Sequence, residues 1–308
     1  MADIFIGLDL ADEVEITAVT AAIGNDPAIV HETERLVIGG GARRHERRHL
    51  LLPALHALQN ARGWISPGGL NHVCDVLQVP PAEAYGVATF YEMFRVDDPG
   101  HGDDVVHVCM DAACQIAANE ELIAELEAGG AHVHRSPCLG QCERAPAQFV
   151  QGVGGPDRVP ADEISVELRI PQQGDSSLRL LKNIGIVDPT SLDSYRAAGG
   201  FDALARADSG LSGRGGAAFP TGVKWKAVAA EQGRPKHVVA NCDESEPGTF
   251  KDRVLMENDP FAVVESLAVA GFATGAENGW IYIRGEYPVA TARLQNAVDQ
   301  CRAAGLLG

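Results

Sequence analysis

The sequence lacks two features that would place the chain in a membrane or outside the cell. It has no uncharged apolar run near the roughly 18 residues that a membrane-spanning helix needs. The first residues, Met1-Ala2-Asp3, are followed by Asp9 and Asp12 without a basic group, so a secretory signal is not expected. We therefore predict a cytoplasmic protein that does not insert into a membrane.

Basic residues are scarce, with 25 Lys and Arg against 42 Asp and Glu, a net charge of −17 at pH 7. This excess disfavours binding to nucleic acid or to an anionic membrane surface. Residues 1–174 hold 26 acidic and 11 basic residues, whereas residues 175–308 hold 16 and 14. This change in net charge along the chain suggests two units. The second has little excess negative charge and can therefore accept a phosphorylated ligand. An acidic surface kept for solubility also accounts for part of the pattern.

A secreted disulfide framework is not expected either, because the seven cysteines are an odd number in a chain without a predicted signal. Four of them form two close pairs, Cys109 with Cys114 and Cys138 with Cys142. Cys74 and Cys301 lie on the apolar stripes of predicted helices, so we expect them to be structural. The two pairs remain as candidates for metal ligation or redox chemistry.

Alternating helix and strand patterns predict an α/β fold. The predicted strands cover residues 105–108, 131–134, 237–240 and 280–283. Two of the predicted helices are a segment opened by Ser66-Pro67 and a segment from Pro80-Pro81 to Phe94, with Phe90, Tyr91 and Phe94 on its core face. The others cover residues 46–62, 119–128, 176–208 with a break at Gly199-Gly200, 260–274 and 288–304. Each cysteine pair is then expected in a loop that leaves the end of a strand.

The spacings of the two pairs, C-x4-C and C-x3-C, allow four thiolates to surround one metal centre. Structural zinc sites prefer C-x2-C knuckles. A wider loop suits a [2Fe–2S] cluster, in which each iron takes two thiolates. Spacing alone favours the iron–sulfur cluster and leaves zinc and unrelated thiols open as alternatives.

Three stretches carry a resemblance to a known family: residues 51–64, the segment 81–94 with its Tyr-Gly-Val-Ala-Thr-Phe-Tyr run, and Pro-Cys-Leu-Gly-Gln-Cys at 137–142 followed by Ala145-Pro146. They resemble the thioredoxin-like [2Fe–2S] subunit of NADH:quinone oxidoreductase (complex I), of NAD-linked formate dehydrogenases and of NAD-reducing hydrogenases. The resemblance covers residues 45–152. It implies that Cys109 and Cys114 hold one iron while Cys138 and Cys142 hold the other.

A glycine-rich loop at 213–216 can let its backbone approach a phosphorylated or planar ligand closely. Nearby, Phe219 can stack on an aromatic ring, and a positive charge from Lys224 near a flavin N1 would favour the anionic reduced form. Before any resemblance is considered, a core role for Phe219 and a surface role for Lys224 fit equally well.

Residues 211–225, the turn Asn241–Arg253 and the segment Ile283–Tyr287 resemble the FMN- and NADH-binding subunit of the same enzymes, in a match that runs from about residue 178 onwards. Glu246 and Phe219 are implied to face NADH, and Glu246 and Lys224 to take part in catalysis. The implied FMN contacts are Gly213, Arg214, Gly215, Lys224, Asn241, Asp243 and Glu244.

Three departures from the family pattern are visible. Ala218 stands where the family usually has glycine, and Ala227 where an aromatic partner for the dinucleotide is often found. The resemblance also implies that the family's subunit continues beyond Gly308, with a second glycine-rich segment that carries paired glutamates and with a four-cysteine [4Fe–4S] site.

Together these observations predict an extension over residues 1–44, a helical bundle with a thioredoxin-like [2Fe–2S] domain over 45–152, a linker over 153–175, and part of an FMN-binding α/β domain over 176–308. The resemblance implies an electron-transfer (diaphorase) subunit that passes electrons between NAD(H), FMN and iron–sulfur centres. Its expected partners are NAD(H) and the other subunits of a redox complex, which can be peripheral to a membrane. The alternatives are a non-catalytic [2Fe–2S] carrier or assembly module with an incomplete flavin site, and a zinc-stabilised interaction protein.

Overall fold

The computed structural model describes residues 9–24, 47–160, 175, 177–201 and 221–308. The chain divides into two units, of which the first comprises Met1–Pro137 with Ala145–Ile164 and the second comprises Cys138–Arg144 with Ser165–Gly308. None of the helices within the described residues is long and apolar enough to cross a membrane.

The first unit begins with helices that surround a common apolar core. In the described residues, the helices around this core are α1 (Glu13–Ile23), α2 (Leu51–Arg62), α3 (Pro67–Leu77) and α4 (Pro81–Ala88). The Ser-Pro start of α3 is confirmed, because the Ser66 hydroxyl accepts a hydrogen bond from the Gly69 amide at 2.9 Å and Pro67 occupies the first helical position. The core includes Leu55, Leu58, Val73, Cys74 and Leu77.

Helix α1 lies within residues 1–44, which were predicted as an extension with no helix assigned to it. The Asp12 carboxylate accepts hydrogen bonds from the amides of Val14 and Glu15, and the Asp12 amide donates to the Glu15 carboxylate at 2.9 Å. This reciprocal capping box satisfies amides that have no partner within the helix. Val19 is fully buried in the core, so α1 is part of the bundle.

Helix α4 is shorter than predicted, since it ends at Ala88 instead of continuing to Phe94. The prediction that Phe90 lies on a core face is wrong, because its side chain is 77% exposed. Phe94 is buried and Tyr91 is half-buried against the core, as predicted. Once the chain leaves the helix at Thr89, the three aromatic side chains no longer follow helical spacing and cannot all lie on one face.

A three-stranded sheet with the order β2-β1-β3 follows the bundle: β1 (Val105–Cys109), β2 (His132–Ser136) and β3 (Gln148–Gln151). Strands β1 and β2 are parallel and are joined through α5 (Ala112–Ile116) and α6 (Asn119–Ala128), which confirms the predicted βαβ order. The antiparallel strand β3 was not evident from the sequence pattern. In this register Cys109 lies opposite Ser136, which precedes Cys138 by two residues.

The second unit contains a two-stranded parallel sheet of β4 (His237–Cys242) and β5 (Asn278–Ile283). Its helices in the described residues are α7 (Leu192–Ala197), α8 (Thr221–Ala230), α9 (Lys251–Asn258), α10 (Pro260–Thr274) and α11 (Pro288–Ala303). Helices α10 and α11 and both strands confirm their predictions, whereas α9 was not predicted. Because α9 and α10 connect β4 to β5, both strands end at the same edge of the sheet.

The prediction that residues 176–208 are helical apart from a break at Gly199-Gly200 is wrong for the described residues before α7, which form turns. Helix α7 ends at Ala197, just before the predicted break. Two features account for the difference. Asp188 precedes Pro189, a position that disfavours helical backbone. Its carboxylate also accepts hydrogen bonds from the amide and the hydroxyl of Thr190, at 2.8 and 2.6 Å, which stabilise a turn.

Candidate functional site

The first cysteine pair lies in the first unit at the end of a buried strand. Cys109 is the last residue of β1, and its carbonyl accepts a hydrogen bond from the buried Asn119 side chain at 2.9 Å. Cys114 lies in the short helix α5 rather than in an open loop and is 1% exposed. The Ala147 amide donates to its Sγ atom at 3.4 Å. Such an N–H···S bond stabilises a thiolate and tunes a bound metal centre.

The second cysteine pair belongs to the second unit. Cys138 is buried and Cys142 is half-buried, and the chain between them turns at Gly140, whose φ is +66°. A Cβ atom at position 140 would collide with the hydroxyl oxygen of Tyr287. Glycine is therefore required here both by the backbone conformation and by the space beside Tyr287.

Replacing Gly140 with alanine is expected to displace this loop. The left-handed backbone costs an alanine about 1–2 kcal/mol, and the collision with Tyr287 adds about 1–3 kcal/mol of overpacking. We expect Gly140→Ala to lose most of its bound iron and to unfold at lower denaturant concentration than the wild type, as measured by metal analysis and chemical unfolding.

Gly305 provides the matched control. Its φ is +70°, and a Cβ atom there meets nothing within 4 Å, so Gly305→Ala carries the backbone strain without the collision. Equal losses of iron in the two variants would contradict the packing role of Tyr287 at Gly140.

None of the four paired cysteines forms a disulfide with another described residue, and thiolates of this number are the donor set that an iron–sulfur cluster requires. The remaining cysteines differ from them in environment. Burial raises the pKa of Cys74 and of Cys242 to about 11, and it also raises the pKa of Cys301. These thiols stay protonated at neutral pH, and the structural interpretation of Cys74 and Cys301 is confirmed by their positions in apolar clusters.

The predicted flavin residues fall partly within the described part of the second unit. Gly213, Arg214, Gly215 and Phe219 lie outside the described residues. Lys224 is exposed on α8. Asn241 is exposed near the end of β4, and Asp243 and Glu246 are exposed in the turn that follows. This turn and the segment after β5 leave the same edge of a parallel sheet, which is where α/β folds place their ligands.

Glu244 differs from its neighbours because it is buried. Its carboxylate accepts hydrogen bonds from the amides of Asp252, at 3.0 Å, and Arg253, at 3.2 Å, at the start of α9. A carboxylate at this position satisfies free amides and complements the positive end of the helix dipole. Lys251 also donates to it at 3.3 Å. The geometry thus gives Glu244 a structural task within the turn, and its predicted FMN contact stays a prediction.

A further group of potential metal ligands lies on the first unit. Ligand atoms of His101, Asp103 and His132 lie within 4.8 Å of one another. The two imidazole rings stack in nearly parallel planes, with centroids 3.6 Å apart. Nitrogen lone pairs lie in the ring plane, so those of two stacked rings do not converge on one ion. We interpret this group as a surface stacking pair in which His132 contacts Asp103.

Two segments of the chain match known family models. Residues 41–157 match the family model described as the thioredoxin-like [2Fe-2S] ferredoxin, and residues 207–306 match the one described as the Nuo51 FMN-binding domain. One chain thus carries segments similar to both domain types. The resemblance inferred from the cysteine loops and the glycine-rich segment is thereby confirmed, and so is the α/β fold with its iron–sulfur and FMN-binding domains.

Curated relatives match part of the chain. The chain is 45% identical over 143 residues to an NADH-quinone oxidoreductase subunit of Rhizobium meliloti, covering 42% of this chain and 34% of that protein. It is 44% identical over 140 residues to the NADP-reducing hydrogenase subunit HndC of Solidesulfovibrio fructosivorans, covering 41% of this chain and 28% of that protein. The chain therefore spans about a third of the length of the curated relatives it matches.

A solved structure of an NAD⁺-reducing [NiFe]-hydrogenase in its air-oxidised state is similar to most of the chain. The match has a TM-score of 0.61 at 25% sequence identity and covers 83% of this chain and 50% of that chain. The proteins to which the chain is similar are thus named as NADH-, NADP- or NAD⁺-linked redox enzymes.

Sequence reasoning missed the role of three residues of the FMN-binding domain that contact the loop between Cys138 and Cys142. Arg253, Arg284 and Tyr287 lie in motifs that carried the family resemblance, but no task was assigned to them. Arg284 donates to the Cys138 carbonyl at 2.8 Å and Arg253 to the Gly140 carbonyl at 3.3 Å. Each contact spans more than 100 residues of chain, so no local pattern reveals it.

Proposed function

We propose that this chain is an electron-transfer module of an NAD-linked oxidoreductase, in which NADH is oxidised and electrons leave through an iron–sulfur centre. The single observation that carries the proposal is that one chain matches both a [2Fe-2S] ferredoxin family and an FMN-binding family. When bound, FMN exchanges a hydride with NAD(H) and releases electrons singly, and a [2Fe–2S] cluster carries one electron at a time.

The residues that would hold the cluster are Cys109, Cys114, Cys138 and Cys142. Three of them are buried, which limits the access of water and oxygen to the sulfur atoms. The Ala147 amide supplies a hydrogen bond to the Cys114 sulfur that stabilises its negative charge. Within the described part of the chain, no disulfide competes for any of the four sulfurs.

The residues that would contact the flavin and the dinucleotide follow the ends of β4 and β5. We propose that Asn241 and Asp243 bind FMN by hydrogen bonding and that Glu246 faces NADH, since all three are exposed at the ligand-binding edge of the sheet. Lys224 would contribute the positive charge that an anionic cofactor needs. We also propose that the loop at 213–216 contacts FMN and that Phe219 faces NADH.

The partners we propose are the other subunits of a multi-subunit redox complex in the cytoplasm. Support comes from the relatives, which are named as subunits of an NADH-quinone oxidoreductase and of an NADP-reducing hydrogenase. The domain boundaries predicted at residues 45, 153 and 176 form part of this proposal.

Oxidation of NADH by ferricyanide tests the proposal directly. We expect the full chain, supplied with FMN, to reduce ferricyanide with NADH, and we expect Glu246→Gln to lower the rate at least about tenfold, a loss typical of one catalytic interaction. Glu277→Gln, an exposed glutamate at the opposite end of the sheet, serves as the control. A chain that binds iron and sulfide but never oxidises NADH would instead support the non-catalytic electron carrier.

A further inference from the structure

One guanidinium in the second unit contacts both a predicted iron ligand and the predicted flavin turn. Arg284 Nη2 donates to the carbonyl of Cys138 at 2.8 Å, and Arg284 Nη1 donates to the carbonyl of Glu244 at 2.8 Å. The same side chain binds Glu286 through two hydrogen bonds, at 2.8 and 3.3 Å. Arg284 therefore ties the residue that begins the second cysteine loop to the turn that follows β4.

Arginine is suited to this position because its donors are fixed in a planar fork. Two of them reach two carbonyls while the others keep the bidentate pair with Glu286. The Tyr287 ring lies beneath the guanidinium, with its centroid 5.5 Å from Cζ, and restricts it further. A lysine ammonium keeps the charge but cannot hold all of these partners in one plane.

The guanidinium remains charged in this setting. Burial alone would lower the pKa of Arg284, but its hydrogen bonds and charge interaction with Glu286 raise the pKa overall. The side chain is only 10% exposed, so its charge is screened less than a charge on the surface.

We propose that Arg284 is a positioning residue that fixes the Cys138 loop against the Asp243–Glu246 turn and raises the reduction potential of the cluster that this loop ligates. The inference rests on the proposed function, because it requires a cluster at Cys138. Reduction adds one negative charge to the cluster, and a nearby positive charge stabilises the reduced form more than the oxidised form.

The inference separates two effects of the same side chain. The charge of Arg284 sets the potential, whereas its fork sets the geometry of the loop. Arg284→Gln removes both, and Arg284→Lys removes only the fork. The double variant Arg284→Gln/Glu286→Gln restores the net charge of the pair without restoring the bond to the Cys138 carbonyl.

Arg302→Gln is the matched control for the loss of one positive charge. Arg302 is exposed near the end of α11, about 20 Å along the helix from Pro288 at a rise of about 1.5 Å per residue. This separation exceeds the Debye length of about 8–10 Å at physiological salt, so a surface charge there has little effect on the loop.

The experiment is an EPR-monitored redox titration of the full-length chain and the four variants, with iron and sulfide analysis of each. At the wild-type midpoint potential we expect the ratio of reduced to oxidised cluster in Arg284→Gln to fall about tenfold, equivalent to about 59 mV for one electron. We expect Arg284→Lys to keep most of the wild-type potential, and we expect the potential of the double variant to lie between those of Arg284→Gln and the wild type, because the negative charge of Glu286 is removed as well. The EPR lines should broaden in all three Arg284 variants and stay unchanged in Arg302→Gln.

Three results would overturn the inference. If the wild type carries the cluster but Arg284→Gln has the same reduction potential and EPR line shape as Arg302→Gln, the inference is overturned and the proposed function stands. A wild-type chain that carries no iron would overturn both. If Arg284→Gln retains no cluster, Arg284→Lys decides, and wild-type EPR lines in that variant would contradict the positioning role.

Discussion

Cys114→Ala is expected to abolish the EPR signal of the dithionite-reduced chain while leaving FMN binding unchanged. The substitution removes one of four thiolates and leaves the Ala147 amide without its sulfur acceptor. An iron that has lost a ligand in a buried site is not retained, so iron and sulfide should both fall to near background. The FMN-binding family match begins at residue 207, far along the chain, and flavin fluorescence quenching should report the same affinity as for the wild type.

Cys74→Ala is the control for the loss of a buried sulfur. Cys74 lies in the helical core of the same unit, where burial raises its pKa and disfavours the thiolate form at neutral pH. We expect its EPR signal to match the wild type. A full wild-type signal in Cys114→Ala would contradict the assignment of this residue as a ligand.

Arg253→Met is expected to lower the free energy of unfolding of the second unit by about 3 kcal/mol. Arg253 is 2% exposed and binds Glu257 at 3.1 and 3.2 Å, Glu143, and the Gly140 carbonyl. Breaking a buried ion pair typically costs about 3–5 kcal/mol because it strands the partner charge. We expect the lower end, since Arg144 remains 3.9 Å from Glu257.

Denaturant unfolding of a double variant identifies the source of this loss. Arg253→Met/Glu257→Gln removes one stranded carboxylate and should recover at least about 1 kcal/mol relative to the single variant. The exposed control Arg302→Gln should stay within about 0.5 kcal/mol of the wild type. If the double variant is no more stable than Arg253→Met, stranded charge is not the cause of the loss.

The parts of the fold that could be predicted are those with a strong local pattern. The apolar run that ends at Cys109 predicted β1, and Ser66-Pro67 predicted the start of α3. Helix α1 also has a local signal, the Asp12 and Glu15 capping box, which the acidic composition of the segment concealed. The chain beyond Ala88 was predicted as helix because three aromatic residues mimic helical spacing, although one of them faces solvent.

The candidate site, like the fold, could be predicted only where a local sequence pattern marks it. Cysteine spacing and family resemblance predicted four candidate ligands, because metal ligation restricts residue type and spacing along the chain. The residues that support the second loop were not predictable, since Arg253, Arg284 and Tyr287 reach it from more than 100 residues away. The burial of Glu244 under the start of α9 was equally invisible, because it depends on a helix that the local pattern did not indicate.

Anaerobic purification of the chain followed by metal, sulfide and EPR analysis tests the central claim most directly. The account predicts a brown protein with two irons and two sulfides per chain, the composition that defines a [2Fe–2S] cluster, and an axial EPR signal after dithionite reduction. A colourless protein with one zinc and no acid-labile sulfide would contradict it.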